Sequence, residues 1–262
     1  MIKIYENGNQ QIEENRAFLE QNKYLATFFF LDAPMIDEVS NKRFALKVER
    51  DGKVLLAMKH EAFNLLLYGD PEPLDELLSF LEREHYEFDG VLCGTPIGER
   101  LLSLDPSFGK LIDMDFMEAT EKTEPSCPDI EIPTEEDLPE LYEDAIRFFE
   151  DCGLPDRPDK ERMRGRLPNY RILRVNGRIA SFAAMSAQND GAFRISMVYT
   201  ARDLRGHGYA RKVVNTLKNE ILDRGKIATL HVDQANPISN HLYASLGFKK
   251  VVSEGIYLKS KK

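Results

Sequence analysis

The stretch "DLRGHGYARK", Asp203 to Lys212, follows a β-like run from Ile195 to Thr200 and leads into a helix-like run that begins near Tyr209. Two glycines at such a strand-to-helix turn let the backbone take φ > 0 and remove the Cβ atoms that would hold a ligand off the main chain. A Gly-rich turn that opens a helix lets amide N–H groups converge on an anion. That reading fixes a β-turn-α unit, and the rest of the chain is read outward from it.

Upstream, "YRILRVNGRIASFAAMSA" (170–187) has Asn176-Gly177 between two alternating apolar runs, the signal of a two-residue hairpin turn. Further upstream, Thr134 followed by Glu135, Glu136 and Asp137 predicts a capped start for an amphipathic helix. Its core face would carry Leu138, Leu141, Tyr142, Ala145, Phe148 and Phe149, and its end falls near Gly153. A short polar helix is expected over 159–166. Downstream come a helix to about Leu222, the strand "KIATLHVD", a helix near Asn240 to Leu246 and a last strand "KKVVSEGIYLK".

The first half repeats the order. Asp51-Gly52 marks a hairpin in "RFALKVERDGKVLLAMKH", followed by the strand "FNLLLYGD", a helix over Leu74 to Glu82, the strand "FDGVLCG", a helix over Ile97 to Leu104 and the strand "GKLIDMDFMEA". "TPIGERLLSL" (95–104) aligns with "NPISNHLYASLGF" (236–248), with Leu102 opposite Tyr243. Ala119 to Pro128 is polar, carries two prolines and lacks hydrophobic periodicity, as a linker does. The expected organisation is an N-terminal domain over 1–122, a linker over 123–132 and a second domain over 133–262. The expected fold class is α+β (mixed α/β), with each unit a mixed, mostly antiparallel sheet flanked by helices. Where the second half has its Gly-rich turn, the first has "YGDPEP", acids and prolines in place of convergent amides.

Composition narrows the function classes. The 262 residues are 42% hydrophobic and 30% charged, a globular profile. A formal net charge of −9 argues against a nucleic-acid-binding surface. The N-terminus lacks a basic-then-apolar signal pattern and the longest apolar run, near Tyr24 to Phe30, is too short to span a bilayer, so a cytoplasmic location with no membrane partner is expected. Phe28 to Phe30 reads as core or inter-domain packing. Cys93, Cys127 and Cys152 are widely spaced, and no His or Cys cluster has metal-ligand spacing, so neither a disulfide framework nor a metal is expected.

Arg205, Gly208 and Ala210 match the R/Q-x-x-G-x-A/G signature of the GNAT superfamily, the acetyl-CoA-dependent N-acyltransferases, and the chain resembles that family. Asn236, Ser239, Tyr243, Gly247 and Phe248 are similar to its N-x-x-(A/S)-x-x-x-Y-x-x-x-G-F segment. The resemblance covers about 130–262 and extends to the first half in outline, as a tandem arrangement with a degenerate first copy. It implies an N-acetyltransferase that passes an acetyl group from acetyl-CoA, as cosubstrate, to a primary amine of a small molecule or peptide by direct attack in a ternary complex. It implies a pyrophosphate cradle at Arg205, Gly206, His207, Gly208, Tyr209 and Ala210, and pantetheine pairing along the strand at Met197, Val198 and Thr200.

The same resemblance makes Tyr243 the acid that protonates the leaving thiolate. Asn236 would meet the pantetheine or the chain opposite it, and His231 and Asp233 are the candidate proton acceptors. Two roles stay open for Arg205, phosphate contact or bracing of the turn, and His207 could simply face solvent. His231 could equally be a packed residue, and Tyr243 a core residue with a satisfied hydroxyl. The expected partner is an amine acceptor, and the expected assembly a monomer or homodimer. The competing functions are a non-catalytic acyl-CoA-binding or sensing module and an aminoacyltransferase-like tandem protein.

Overall fold

The protein is described by a computed structural model over residues 1–61, 63–153, 157–189 and 191–260. The chain forms two compact units, one of residues 1–116, 233–235 and 251–262, the other of 117–232 and 236–250.

In the first unit, β1 (Ile2–Ile4) is followed by helices α1 (Gly8–Leu19) and α2 (Thr27–Asp32), then by β2 (Phe44–Arg50), β3 (Lys53–Lys59), β4 (Leu65–Gly69), α3 (Leu74–Arg83), β5 (Gly90–Gly94), α4 (Thr95–Leu104) and β6 (Phe108–Ala119). The hairpin between β2 and β3 turns at Asp51 and Gly52, with φ of 52° and 76°, the left-handed pair that a type I′ turn requires. Antiparallel pairing joins β1 to β2, β2 to β3 and β3 to β4, and β4 pairs parallel with β5. Phe28, Phe29 and Phe30 belong to the cluster on one face of this sheet, beside Leu56, Met58 and Tyr68.

The second half of the chain contains β7 (Ile130–Glu131), α5 (Leu138–Asp151), α6 (Lys160–Arg164), β8 (Tyr170–Val175), β9 (Arg178–Asn189), β10 (Ala192–Thr200), α7 (Tyr209–Asp223), β11 (Ile227–Asp233), α8 (Pro237–Ser245) and β12 (Lys249–Lys259), of which β12 enters the second unit only at Lys249 and Lys250. The β7 to β10 run is antiparallel and β10 pairs parallel with β11. The sheet carries a core on each face. Val213, Val214, Leu217 and Ile221 of α7 pack with Tyr243 and Leu246 in one; Leu138, Leu141 and Ala145 of α5 pack with Tyr170 and Phe182 in the other. Before α5, where Thr134 is the expected cap, Thr134 and Asp137 form a reciprocal one, the Thr134 N–H donating to the Asp137 carboxylate at 2.8 Å. Both halves of the chain are thus α+β, with the order β-β-β-α-β-α-β in common.

Two long-range features cut across the sequence ranges. The last strand starts in the second unit, but its segment Glu254 to Leu258 pairs antiparallel with β5, Gly94 to Gly90, so residues 251–262 group with the first unit. Tyr257 is fully buried there, and a Cβ on Gly98 of α4 would lie 2.0 Å from its ring carbon Cζ, which explains a glycine in the middle of that helix. The polar segment read as a linker is fastened along α7. Asn215 Nδ2 donates to Pro125 O at 2.8 Å, Asn219 Nδ2 to Glu124 O at 2.9 Å, and the buried Lys218 ammonium to Thr123 Oγ1 and Leu246 O, both at 2.7 Å. Those side chains satisfy the backbone carbonyls of Glu124, Pro125 and Leu246.

Candidate functional site

The site begins with a defect in β10. Its register with β9 runs Ser196 to Ala184 and then jumps to Tyr199 opposite Phe182, which leaves Met197 and Val198 facing one residue, a β-bulge. Met197 has φ of 52°, a left-handed conformation that costs a non-glycine residue roughly 1–2 kcal/mol. Beyond the bulge the two side chains part company. Met197 packs with the α5 face, where the Tyr170 hydroxyl meets its sulfur at 3.5 Å, and Val198 packs with the cluster that holds Tyr243. On its other side β10 registers with β11 only from Ala192 to Arg194, against Ile227 to Thr229. Thr200 closes the strand, its Oγ1 3.0 Å from Ser181 Oγ.

After Thr200 a 3-10 turn over Arg202–Leu204 delivers the chain to the glycines. Gly206 and Gly208 both have positive φ, 83° and 76°, and nothing lies within 4 Å of the place where a Cβ would stand on either. Gly208 precedes α7 without a side-chain cap, and no acid occupies the first turn. Among the described residues, no hydrogen bond engages the N–H groups of Gly206, His207, Gly208, Tyr209, Ala210 and Arg211. Successive amides left open at the positive end of a helix form an anion cradle.

Charged side chains around the cradle are already committed. Arg205 Nε donates to Thr200 O at 3.1 Å, a terminal nitrogen of the same guanidinium pairs with Asp151, and the group lies over the Tyr199 ring at 5.6 Å. Of the two roles open to Arg205, this geometry is the bracing one. His207 is exposed, with Nδ1 2.9 Å from Arg205 O and its ring stacked on Tyr209. Arg178 forms a two-point pair with Asp203 at 2.7 and 2.9 Å. Arg211 ties α7 to Ser245 at the end of α8, at 2.6 Å.

Tyr243 is 6% exposed, held edge-on to Phe248 with ring centroids 6.1 Å apart. Burial pushes its phenol up to about 12, the Cys152 sulfur adds to the rise, and a hydrogen bond with Ser239 partly offsets it. The proton stays on the phenol throughout the neutral range. Asn236 caps α8, its Oδ1 accepting from the Ser239 N–H at 3.0 Å. That cap is the contact the structure gives to an asparagine expected to face pantetheine.

His231, on β11, is pushed down to about 3 by burial, reinforced by the positive charge of Arg194. It is therefore neutral at pH 7 and a weak base. The sign of the linkage follows. The unfolded chain takes up a proton as pH falls through about 6.5 and the folded chain does not until about 3, so stability declines in that window by about 1.4 kcal/mol per pH unit. Urea unfolding of wild type and His231→Gln at pH 7 and pH 5 should show the wild type losing about 2 kcal/mol more than the variant. Equal losses would contradict the burial argument. Asp233 groups with the first unit, and its Oδ1 accepts from the Ala235 N–H at 2.8 Å.

Sequence reasoning passed over Asp151, whose carboxylate meets both Arg202 and Arg205. An acid at a helix end carries no local signal for such a long-range contact. Among the described residues no group of three or more His, Cys, Asp or Glu side chains is placed to hold a metal ion, and no helix is long and apolar enough to cross a membrane.

The two halves of the chain share one element order, and solved structures of GNAT proteins, a tandem one among them, share this fold. The GNAT-related family model described as FR47-like protein matches residues 174–256. Among solved structures, a GNAT-family acetyltransferase from Colwellia psychrerythraea is 15% identical, with 100% of each chain covered and a TM-score of 0.66. A GCN5-related N-acetyltransferase from Sphaerobacter thermophilus is 17% identical over 83% of this chain and 80% of its own, with a TM-score of 0.58. A tandem GNAT protein from the clavulanic acid biosynthesis pathway is 11% identical over 83% of this chain and 82% of its own, with a TM-score of 0.50. At these identities the likeness is one of fold. No curated protein matches the chain.

Proposed function

We propose that the protein is an N-acetyltransferase of the cytoplasm that moves an acetyl group from acetyl-CoA to an amine of a small molecule or peptide. The observation that carries this reading is the row of open N–H groups from Gly206 to Arg211 at the uncapped start of α7, where a pyrophosphate would find both donors and positive potential. The bulge at Met197 and Val198 supports it, because a strand released from its neighbour has backbone groups to offer a pantetheine arm. A Val198 amide at that point would meet the charge that develops on the thioester oxygen.

In the reaction the amine nitrogen bonds to the acetyl carbon, the carbon–sulfur bond breaks, and Tyr243 gives its proton to the departing sulfur. A phenol held protonated by burial suits that role. The proton lost by the amine goes to His231 or Asp233, directly or through water. His231 is unprotonated at neutral pH and so able to accept, though weakly.

The first unit supplies no second cradle in this reading. At its equivalent turn Pro71 and Pro73 lack N–H groups, Asp70 accepts from the Val54 N–H at 2.9 Å, and Asp75 and Glu76 occupy the first turn of α3. Titration of the full chain with CoA should give about one site per chain, and free thiol should appear from acetyl-CoA when an amine panel is added. Two sites would overturn the assignment of the first unit. CoA binding with no turnover on any amine would favour a sensing module instead.

A further inference from the structure

We infer that Asp151, at the last turn of α5, is a positioning residue of the cofactor turn, a carboxylate that fixes the flank of the CoA cradle before cofactor arrives. The inference rests on the CoA reading of that turn. Asp151 Oδ1 accepts from Arg202 Nε at 3.1 Å and from Arg202 Nη2 at 2.6 Å, and Oδ2 accepts from Arg205 Nη2. Arg202 opens the 3-10 turn that leads to the glycines, and Arg205 is the residue directly before Gly206. One side chain therefore ties down two points of the loop.

Helix physics makes the arrangement more than an incidental surface pair. An acid in the last turn of a helix faces the negative end of the dipole, and α5 ends on Glu150 and Asp151 with no basic residue in that turn. The two guanidiniums offset that repulsion, and they hold the Asp151 carboxyl below the usual carboxylate range, first through the hydrogen bond from Arg202 and then through the hydrogen bond and charge of Arg205. Isolated exposed ion pairs contribute little, because each fixes two mobile side chains for one contact. Here one carboxylate organises two arginines at once.

Arg205 is further fixed by Thr200 O, and among the described residues its Nη1 makes no hydrogen bond. The brace therefore leaves donors of a pre-placed guanidinium available beside the cradle. Removing the carboxylate would free two positive charges near an anion site, which favours binding, but it would also release the loop that aims the amides. Screening makes the first effect small for exposed charges, so the loss of preorganisation dominates.

The test uses the full chain as wild type, Asp151→Asn, Asp151→Glu and Arg205→Gln. Calorimetry with CoA should show about 10-fold weaker binding for Asp151→Asn and Arg205→Gln, with partial recovery in Asp151→Glu. In turnover, the loss should fall on KM for acetyl-CoA more than on kcat. Amide hydrogen exchange of the cofactor-free protein should be faster over 202–208 in Asp151→Asn and unchanged in the hairpin around Asn176. CoA affinity in Asp151→Asn equal to or above wild type, or unchanged exchange in the turn, overturns the inference. If wild type itself binds no CoA, the cofactor reading fails, and the exchange result still decides whether Asp151 holds the loop.

Discussion

Tyr243→Phe is expected to lower kcat by about 10²–10⁴-fold while leaving CoA affinity within about twofold of wild type. The ring keeps its packing in the cluster of Val213, Val214, Leu246 and Phe248, so the fold loses one hydroxyl and its bond with Ser239. What disappears is the only proton that the site, as proposed, offers to the departing thiolate. The effect has to be read where chemistry limits the rate, in a single turnover with a basic amine. A pH profile gives a second readout. With the phenol pushed up to about 12, wild-type activity should not decline through deprotonation of Tyr243 below about pH 10. A full-rate phenylalanine variant would reduce Tyr243 to a packing residue.

Gly208→Val should abolish measurable CoA binding in a chain that still folds. The position has φ of 76° and ψ of 13°, a region closed to β-branched residues, so valine must move the backbone that aims the amides of Gly208, Tyr209 and Ala210. No atom crowds the missing Cβ, so the fold itself has no steric reason to fail. Far-UV circular dichroism should look like wild type, whereas calorimetry should show affinity weakened by at least about 100-fold. Gly208→Asn separates backbone strain from lost space, because asparagine tolerates the left-handed region. If that variant binds CoA well, conformation is what the glycine provides; if it fails as well, the open volume ahead of residue 208 is the ligand's. Unchanged affinity in a folded valine variant would remove the cradle.

The amino-acid sequence by itself determined the local features. Asn176-Gly177 and Asp51-Gly52 specify hairpins because both residues of each pair must take positive φ, and they do. Thr134 and Asp137 specify the cap before α5, and Gly206 and Gly208 specify the turn before α7. Each requirement is met within a few residues, so a linear reading captures it. Helix α1 escaped that reading because part of its buried face is polar. Gln11 donates to Leu46 O at 2.7 Å and Asn15 to the Tyr5 hydroxyl at 2.8 Å, which leaves weak apolar periodicity. Only the tertiary structure decided where β12 pairs, that Met197 sits at a bulge, that residues 123–127 bind α7, and that Asp151 holds both Arg202 and Arg205. Those contacts join residues tens to more than a hundred positions apart, and their free energy comes from satisfying strand edges, carbonyls and charges that local sequence leaves open.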